Sequence, residues 1–265
     1  MVDPDSELAA ELQIDVPHAA RIWNYWMGGR ENFAADRFAG DAVAEVYPEI
    51  VVMARESRRF LVRVVRHLAA EVAIRQFIDV GTGLPTMQNT HEVAQTAVPG
   101  ARVVYVDSDP MVLVHARALL ANTTSEGLTT YVPADYHDPD LIVSEARKWL
   151  DFDEPIAVMF MGVLGYEPEL DVVRSIVSTV SGATPPGSHL VLWDGTNTSQ
   201  AVVEGADRLA RSGGVPYILR SPDDLATCFE GLTLVEPGLV PIPLWRPDEA
   251  DPVAIDAYGA VARKP

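Results

Sequence analysis

Cysteine is nearly absent from this chain. The single one, Cys228, leaves no internal disulfide and no cysteine-based zinc site, which fits a reducing compartment. Basic residues are also few: 20 Lys and Arg face 38 Asp and Glu, a net charge of −18. Such a field repels a phosphate backbone, so no nucleic-acid partner is expected. Long apolar runs are missing too. The longest, Ile156 to Gly165, falls well short of the ~20 residues of a membrane-spanning helix, so it reads as a buried strand and no membrane partner is expected. The N-terminal MVDPDSELAAELQID is acidic and lacks the basic start and apolar core of a secretory signal, which predicts a cytoplasmic protein. The six histidines (His18, His67, His91, His115, His137 and His189) show no ligand spacing, so no metal is expected. Ser188 and Cys228 lack a nucleophile motif.

What remains is ordinary globular material: 265 residues, 48% apolar and 22% charged. Residues 1–6 read as a frayed tail, and from Ser6 to about Ala70 the pattern is helical. One helix runs from Pro17 through Trp26 and stops at Gly28-Gly29; others cover about Ala34–Val46 and Glu49–Glu71. In the last, Arg55, Arg59, Arg63 and Arg66 share a face, read as solvated, with an anion-binding surface as the alternative; Arg58 and Arg75 belong to the same basic cluster. Thereafter short apolar runs alternate with helical stretches. Strands are predicted at Gln76–Val80, Arg102–Asp107, Leu128–Pro133, Ile156–Gly162 and His189–Asp194. Between them helices are predicted near Gln88–Ala97, Pro110–Asn122, Asp140–Leu150 and Pro168–Ser181, then near Thr198–Ser212 and Ser221–Glu230. That alternation predicts a parallel sheet covered on both faces. The two last strand-like runs, Leu232–Leu239 and Ala257–Arg263, are joined by a proline-rich segment and are expected to be antiparallel. About seven strands, five parallel and a terminal antiparallel pair, make the Rossmann-like sheet of class I methyltransferases. Residues 1–72 read as a helical extension or lid and 73–265 as the ligand-binding domain, together one compact unit.

The chemistry concentrates at Phe77–Thr86, FIDVGTGLPT. Gly81 and Gly83 follow a strand and precede a helix, where glycine permits a tight turn and close approach to a ligand. A dinucleotide site asks for a third glycine where Thr86 stands, and Leu84-Pro85 removes a donor a pyrophosphate would use. Asp79 would repel a pyrophosphate but attract a ligand carrying ammonium and sulfonium charges. S-adenosylmethionine is such a ligand, with Asp79 at its methionyl end. Asp107, ending the second strand with Ser108 after it, is placed for the ribose hydroxyls. Asp135 and Tyr136, after the third strand, are placed for the adenine amino group and ring. For Asp135 a helix cap is an equal reading.

The stretches PHAARIWNYWMGGRENFAADR, RQFIDVGTGLPT, NTHEVAQ, ARVVYVDSDPMVLVHARALL and LVEPGLVPIPLWRPD resemble a family of bacterial S-adenosylmethionine-dependent methyltransferases, long catalogued as a domain of unknown function. The resemblance runs from about Pro17 to Lys264 and implies the class I fold with a helical N-terminal addition, but no substrate. Two positions depart from the family pattern: Trp23-Asn24-Tyr25 stands where a Tyr-Asp-Tyr type of core is expected, and Gly165 where relatives carry a histidine. A histidine base therefore does not transfer to this chain.

In the N-terminal segment, Arg21 and Tyr25 share a helical face and either is placed to hold the methionyl carboxylate, with Asn32 completing the shell. Packing is the competing role for Trp23, Tyr25, Trp26 and Phe33. At the ends of the fourth and fifth strands, Tyr166, Trp193 and Asp194 are candidates for the acceptor, Asp194 as a base and Trp193 as a ring against it. The expected activity is methyl transfer to a small-molecule acceptor. A non-catalytic module sensing S-adenosylmethionine or S-adenosylhomocysteine is the rival, and an NAD-dependent oxidoreductase a weaker one. The oligomeric state stays open, a homodimer included.

Overall fold

A computed structural model describes residues 13–85, 88–119 and 123–265. The expected N-terminal tail and the last turn of the helix ending near Asn122 lie wholly or partly outside them. The helical start comprises α1 (Ala19–Trp26), α2 (Ala34–Ala44) and α3 (Ile50–Arg66). Then β1 (Gln76–Val80), α4 (Thr90–Ala97), β2 (Arg102–Asp107), α5 (Pro110–Leu119) and β3 (Leu128–Pro133) alternate. They are followed by α6 (Pro139–Ala146), β4 (Ile156–Met161), α7 (Leu170–Gly182) and β5 (His189–Gly195). The chain ends with α8 (Gln200–Arg211), α9 (Pro222–Ala226), β6 (Thr233–Leu234), β7 (Val240–Pro241) and β8 (Ala257–Arg263).

The sheet order is β3-β2-β1-β4-β5-β8-β6, with β7 also paired to β8. Strands β1 to β5 are parallel, and β8 runs antiparallel to β5 and β6. This is the class I methyltransferase arrangement. It has eight strands among the described residues rather than about seven, because the two-residue β7 adds to the count. The run Leu232–Leu239 pairs at Thr233–Leu234 and adds one bond from the Val235 N–H to the Val261 carbonyl at 2.8 Å, and Pro237 beyond it brings no N–H to a ladder. The long third helix passes into a π-turn over His67–Glu71.

Both faces of the sheet are covered, so β1 and β5 are buried along their whole length instead of alternating. Register sorts the side chains. Asp79 aligns with Tyr105 on β2 and Met159 on β4, and Met159 aligns with Val191 on β5, so these residues and Trp193 share one face. That face packs against Ile22 and Trp26 of α1, Phe60 and Val64 of α3, and Val202 of α8. The opposite face carries Ile78, Val158, Phe160 and Leu192 against Ile142, Val177 and Phe229. The N-terminal helices thus share a core with the sheet. Arg63, expected on a solvated face, is buried and donates to the carbonyls of Trp245 and Ile242 at 3.0 and 2.7 Å, fixing α3 to the C-terminal segment.

Candidate functional site

The carboxyl ends of β1, β2, β4 and β5 open into a cavity of about 310 Å³ beneath α1. Its floor is the glycine turn. Gly81 and Gly83 have φ of +71° and +61°, a region L side chains rarely adopt. At Gly81 a Cβ would also lie 2.3 Å from Val163 Cγ2, so only glycine lets the loop after β4 approach this closely. The Gly83 N–H donates to Asp107 Oδ2 and the Asp109 N–H to Asp107 Oδ1, both at 3.0 Å. Each oxygen keeps a lone pair for a further donor. Burial raises the Asp107 pKa, and those two N–H groups oppose the shift.

Asp79 is buried and accepts from the Thr90 hydroxyl at 2.6 Å. Burial pushes its pKa up to about 6, against the hydrogen bond from Thr90 and the charge of Arg58. Arg58 reaches the same end of the cavity from α3 and has no hydrogen-bond partner among the described residues. Burial lowers its pKa, and the Asp79 charge is the largest opposing influence. A carboxylate and a guanidinium thus face one small volume. Nearer the rim, His18 Nε2 meets Asp109 Oδ2 at 2.7 Å, tying the start of α1 to the loop after β2. Burial alone would raise Asp109, but the His18 bond and charge hold it below its ordinary value.

Of the residues singled out in the sequence, Asp79, Gly81, Gly83, Asp107, Ser108, Tyr136, Tyr166 and Trp193 line the cavity. Five others do not. Arg21 is 2% exposed and engaged by Asp36 at 2.8 Å and the Val16 carbonyl at 2.6 Å. Tyr25 donates to Asp41 at 2.7 Å. The cavity is met by Ala19, Ala20, Trp23 and Trp26 of α1 and by Met27 just after it, and the Arg21–Tyr25 face is rotated away from it toward α2. Asn32 donates to Asn24 Oδ1 at 3.1 Å and the Gly29 carbonyl at 3.0 Å, which makes the Gly-Gly-Arg-Glu-Asn loop a self-supporting turn. Asp135 accepts from the backbone and ring of His137, whose other nitrogen bridges to Glu167 at 2.8 Å. Asp194 points to the opposite face of the sheet from Trp193, as strand alternation requires. There it is buried, accepts from the Gly195 N–H at 3.1 Å, and is pushed up to about 7 by burial despite the nearby Arg220.

Arg58, Thr90 and His18 were not singled out for this site from sequence. For Arg58 there was a signal: it falls off the stripe formed by Arg55, Arg59, Arg63 and Arg66. Among the described residues no cluster of His, Cys, Asp or Glu has the makings of a metal site, and no helix is long and apolar enough to cross a membrane.

A family model described as S-adenosyl methyltransferase matches residues 5–265. A DUF574 family protein from Streptomyces avermitilis is 41% identical, with 96% of this chain and 100% of that chain covered and a TM-score of 0.91. A protein from Thermobifida fusca described as a methyltransferase is 40% identical, with 100% and 99% covered and a TM-score of 0.88. Magnesium protoporphyrin IX methyltransferase from Synechocystis, solved with S-adenosylmethionine bound, is 12% identical over 100% of this chain and 99% of that one, and its TM-score of 0.54 reflects a shared fold. No curated protein matches the chain.

Proposed function

The chain belongs to the S-adenosyl methyltransferase family, and from that premise we propose that it transfers a methyl group from S-adenosylmethionine to a small-molecule acceptor by in-line displacement. The observation that carries this reading is the pair of opposite charges, Asp79 and Arg58, that lines the cavity. A zwitterionic amino-acid end fits such a pair, carboxylate to guanidinium and ammonium to carboxylate. Arg58, rather than Arg21, supplies the guanidinium. Gly81 admits Val163 against the turn, Gly83 leaves room there for the cofactor, Asp107 and Ser108 face its ribose, and Tyr136 packs toward its adenine. Asp135, held by His137, stays at the rim.

The cofactor brings an activated methyl on a sulfonium, so chemistry at the reacting centre needs little from the protein beyond orientation and exclusion of water. The helical segment ahead of residue 73 supplies both as a lid on the domain spanning 73–265. Trp23 roofs the cavity, and the His18–Asp109 contact closes the side over β2. A cavity of about 310 Å³ under that roof favours a small acceptor over a macromolecular one. A dinucleotide is disfavoured at the helix that follows the glycine turn. The Glu92 carboxylate already accepts from the Asn89 N–H at 2.6 Å at the start of α4, where a pyrophosphate would have to dock.

Calorimetric titration with S-adenosylmethionine, S-adenosylhomocysteine and NAD tests the reading. Micromolar binding of the first two, weakened at least ~10-fold by Asp107→Ala, is expected. Saturable heat with NAD alone would overturn it. Turnover with bacterial extract separates an enzyme from a sensing module that binds both cofactor forms and methylates nothing.

A further inference from the structure

The cavity has two halves of different chemistry. Its Asp, His and Arg side chains are Asp79, Asp107, Asp109, His18 and Arg58. Four of them sit at or just after the ends of β1 and β2 or on His18, the residue before α1 tied there, and Arg58 lies close enough to Asp79 for each to bias the other's charge. The half under β4 and β5 is bounded instead by rings. Trp23 and Trp193 stack at 5.9 Å with their planes 29° apart, and Tyr166 meets Tyr217 edge-on at 5.0 Å. Met161 and Leu209 also line the cavity. The ionisable groups here are phenols. Burial, with the Asp194 charge behind it, pushes Tyr166 far up, and the Tyr217 hydroxyl donates to the Gly162 carbonyl at 3.2 Å. Among the described residues this half therefore holds aromatic faces and no group able to take a proton at neutral pH. Asp194, the one carboxylate carried by β5 near it, lies on the far side of the sheet.

We propose that this aromatic half is the acceptor subsite, and that it takes a flat aromatic or heteroaromatic molecule methylated on a neutral nitrogen. The inference rests on the methyltransferase reading above. Flatness follows from the Trp23–Trp193 wall, which offers ring faces and few polar contacts. The neutral nitrogen follows from the missing base. A hydroxyl or thiol acceptor must lose a proton before or during attack, whereas an un-ionised nitrogen already presents its lone pair. That lone pair forms the new N–C bond while the C–S bond breaks, its electrons remaining on sulfur. The positive charge passes from sulfur to nitrogen, from the acid-lined half of the cavity to the ring-lined half. Aromatic faces stabilise such a cation once water is excluded. A nitrogen that still bears hydrogen gives that proton to water after release.

Three probes test this on the full-length protein: isoquinoline, 2-naphthol, and morpholine at a pH where it is un-ionised. With S-adenosylhomocysteine saturating the cofactor half, calorimetry is expected to show isoquinoline binding about 2- to 13-fold tighter than morpholine. Trp23→Leu and Trp193→Phe should each weaken isoquinoline several-fold and leave S-adenosylhomocysteine affinity unchanged; if Trp193→Phe does not fold, Trp23→Leu decides. With S-adenosylmethionine present, isoquinoline should be methylated faster than 2-naphthol at pH 7, and the naphthol rate should climb as the phenol ionises. Equal binding of morpholine, indifference to both tryptophan variants, faster naphthol methylation at pH 7, or no isoquinoline binding while S-adenosylhomocysteine still binds would each overturn the acceptor assignment alone. Failure of the protein to bind S-adenosylmethionine or S-adenosylhomocysteine would instead remove the cofactor reading beneath it.

Discussion

Asp79 and Asp194 are each the penultimate residue of a parallel strand, β1 and β5. Both are buried, both are held above their ordinary pKa by burial, to about 6 and about 7, and each has an arginine nearby, Arg58 and Arg220. Judged by perturbation alone they are equivalent candidates for a working carboxylate. They differ in which way they point. Asp79 faces the cavity; Asp194 faces the covered side of the sheet, and its Arg220 is committed to the carbonyls of Leu164 and Glu167. Arg58 is uncommitted among the described residues. A raised pKa marks burial, and only the direction of the side chain and the freedom of its counter-charge separate a site from a structural group.

The largest expected effect is on stability. A carboxyl whose pKa is raised on folding binds more protons native than unfolded between the two values, so stability falls as pH rises through that window. In thermal unfolding of the cofactor-free protein, Asp194 should impose a fall in stability of about 4 kcal/mol from about pH 4 to about pH 7, opposed below about pH 6.5 by His189, whose pKa burial lowers to about 4. Asp194→Asn should flatten the upper part of that slope and leave S-adenosylmethionine affinity within twofold, by about the scatter of a neutral change. A slope that persists in this variant, or a large affinity loss, would break the comparison from the Asp194 side.

Next in size is the loss of affinity at the other carboxylate. Asp79→Asn should weaken S-adenosylmethionine by about 1.5–3 kcal/mol, roughly 10- to 150-fold, the value of a charge-assisted hydrogen bond. Arg58→Met should act similarly. Neither should much affect 5′-methylthioadenosine, which lacks the amino-acid end, and calorimetry with both ligands reads the difference. The pH dependence of binding is smaller. Asp79 must be ionised to meet an ammonium, so affinity should rise up to about tenfold per pH unit below about pH 6 and level off above it. Smallest of all is Asp135→Ala. Its contact with His137 is exposed, so cofactor affinity should change by no more than about 0–1 kcal/mol.

The sheet was legible in the sequence because its central strands are short apolar runs between turns. β1, β2 and β3 coincide with their predicted spans, and β4 and β5 end within a residue of theirs. The glycine turn and Asp107 were legible for a local reason: strand, glycines and helix follow one another within about a dozen residues. What stayed hidden depends on long-range relations. The facing of Asp194 follows from register carried across β1, β4 and β5. The roll of α1 that presents Trp23 and turns Arg21 toward Asp36 depends on α2, fifteen residues later. Arg58 looked like one member of a solvated basic cluster until α3 was laid on the sheet. The short β6 reflects Pro237 outweighing the apolar character of its run.

Proton release on binding tests the central claim most directly. Near pH 5.5 Asp79 is mostly protonated in the cofactor-free protein, and meeting the ammonium of S-adenosylmethionine should ionise it. Calorimetry in two buffers of different ionisation enthalpy should then report between about half and one proton released per cofactor, and close to zero for Asp79→Asn. Binding with no proton release in the native protein, or with the same release in Asp79→Asn, would contradict the assignment of Asp79 and Arg58 to the amino-acid end of the cofactor.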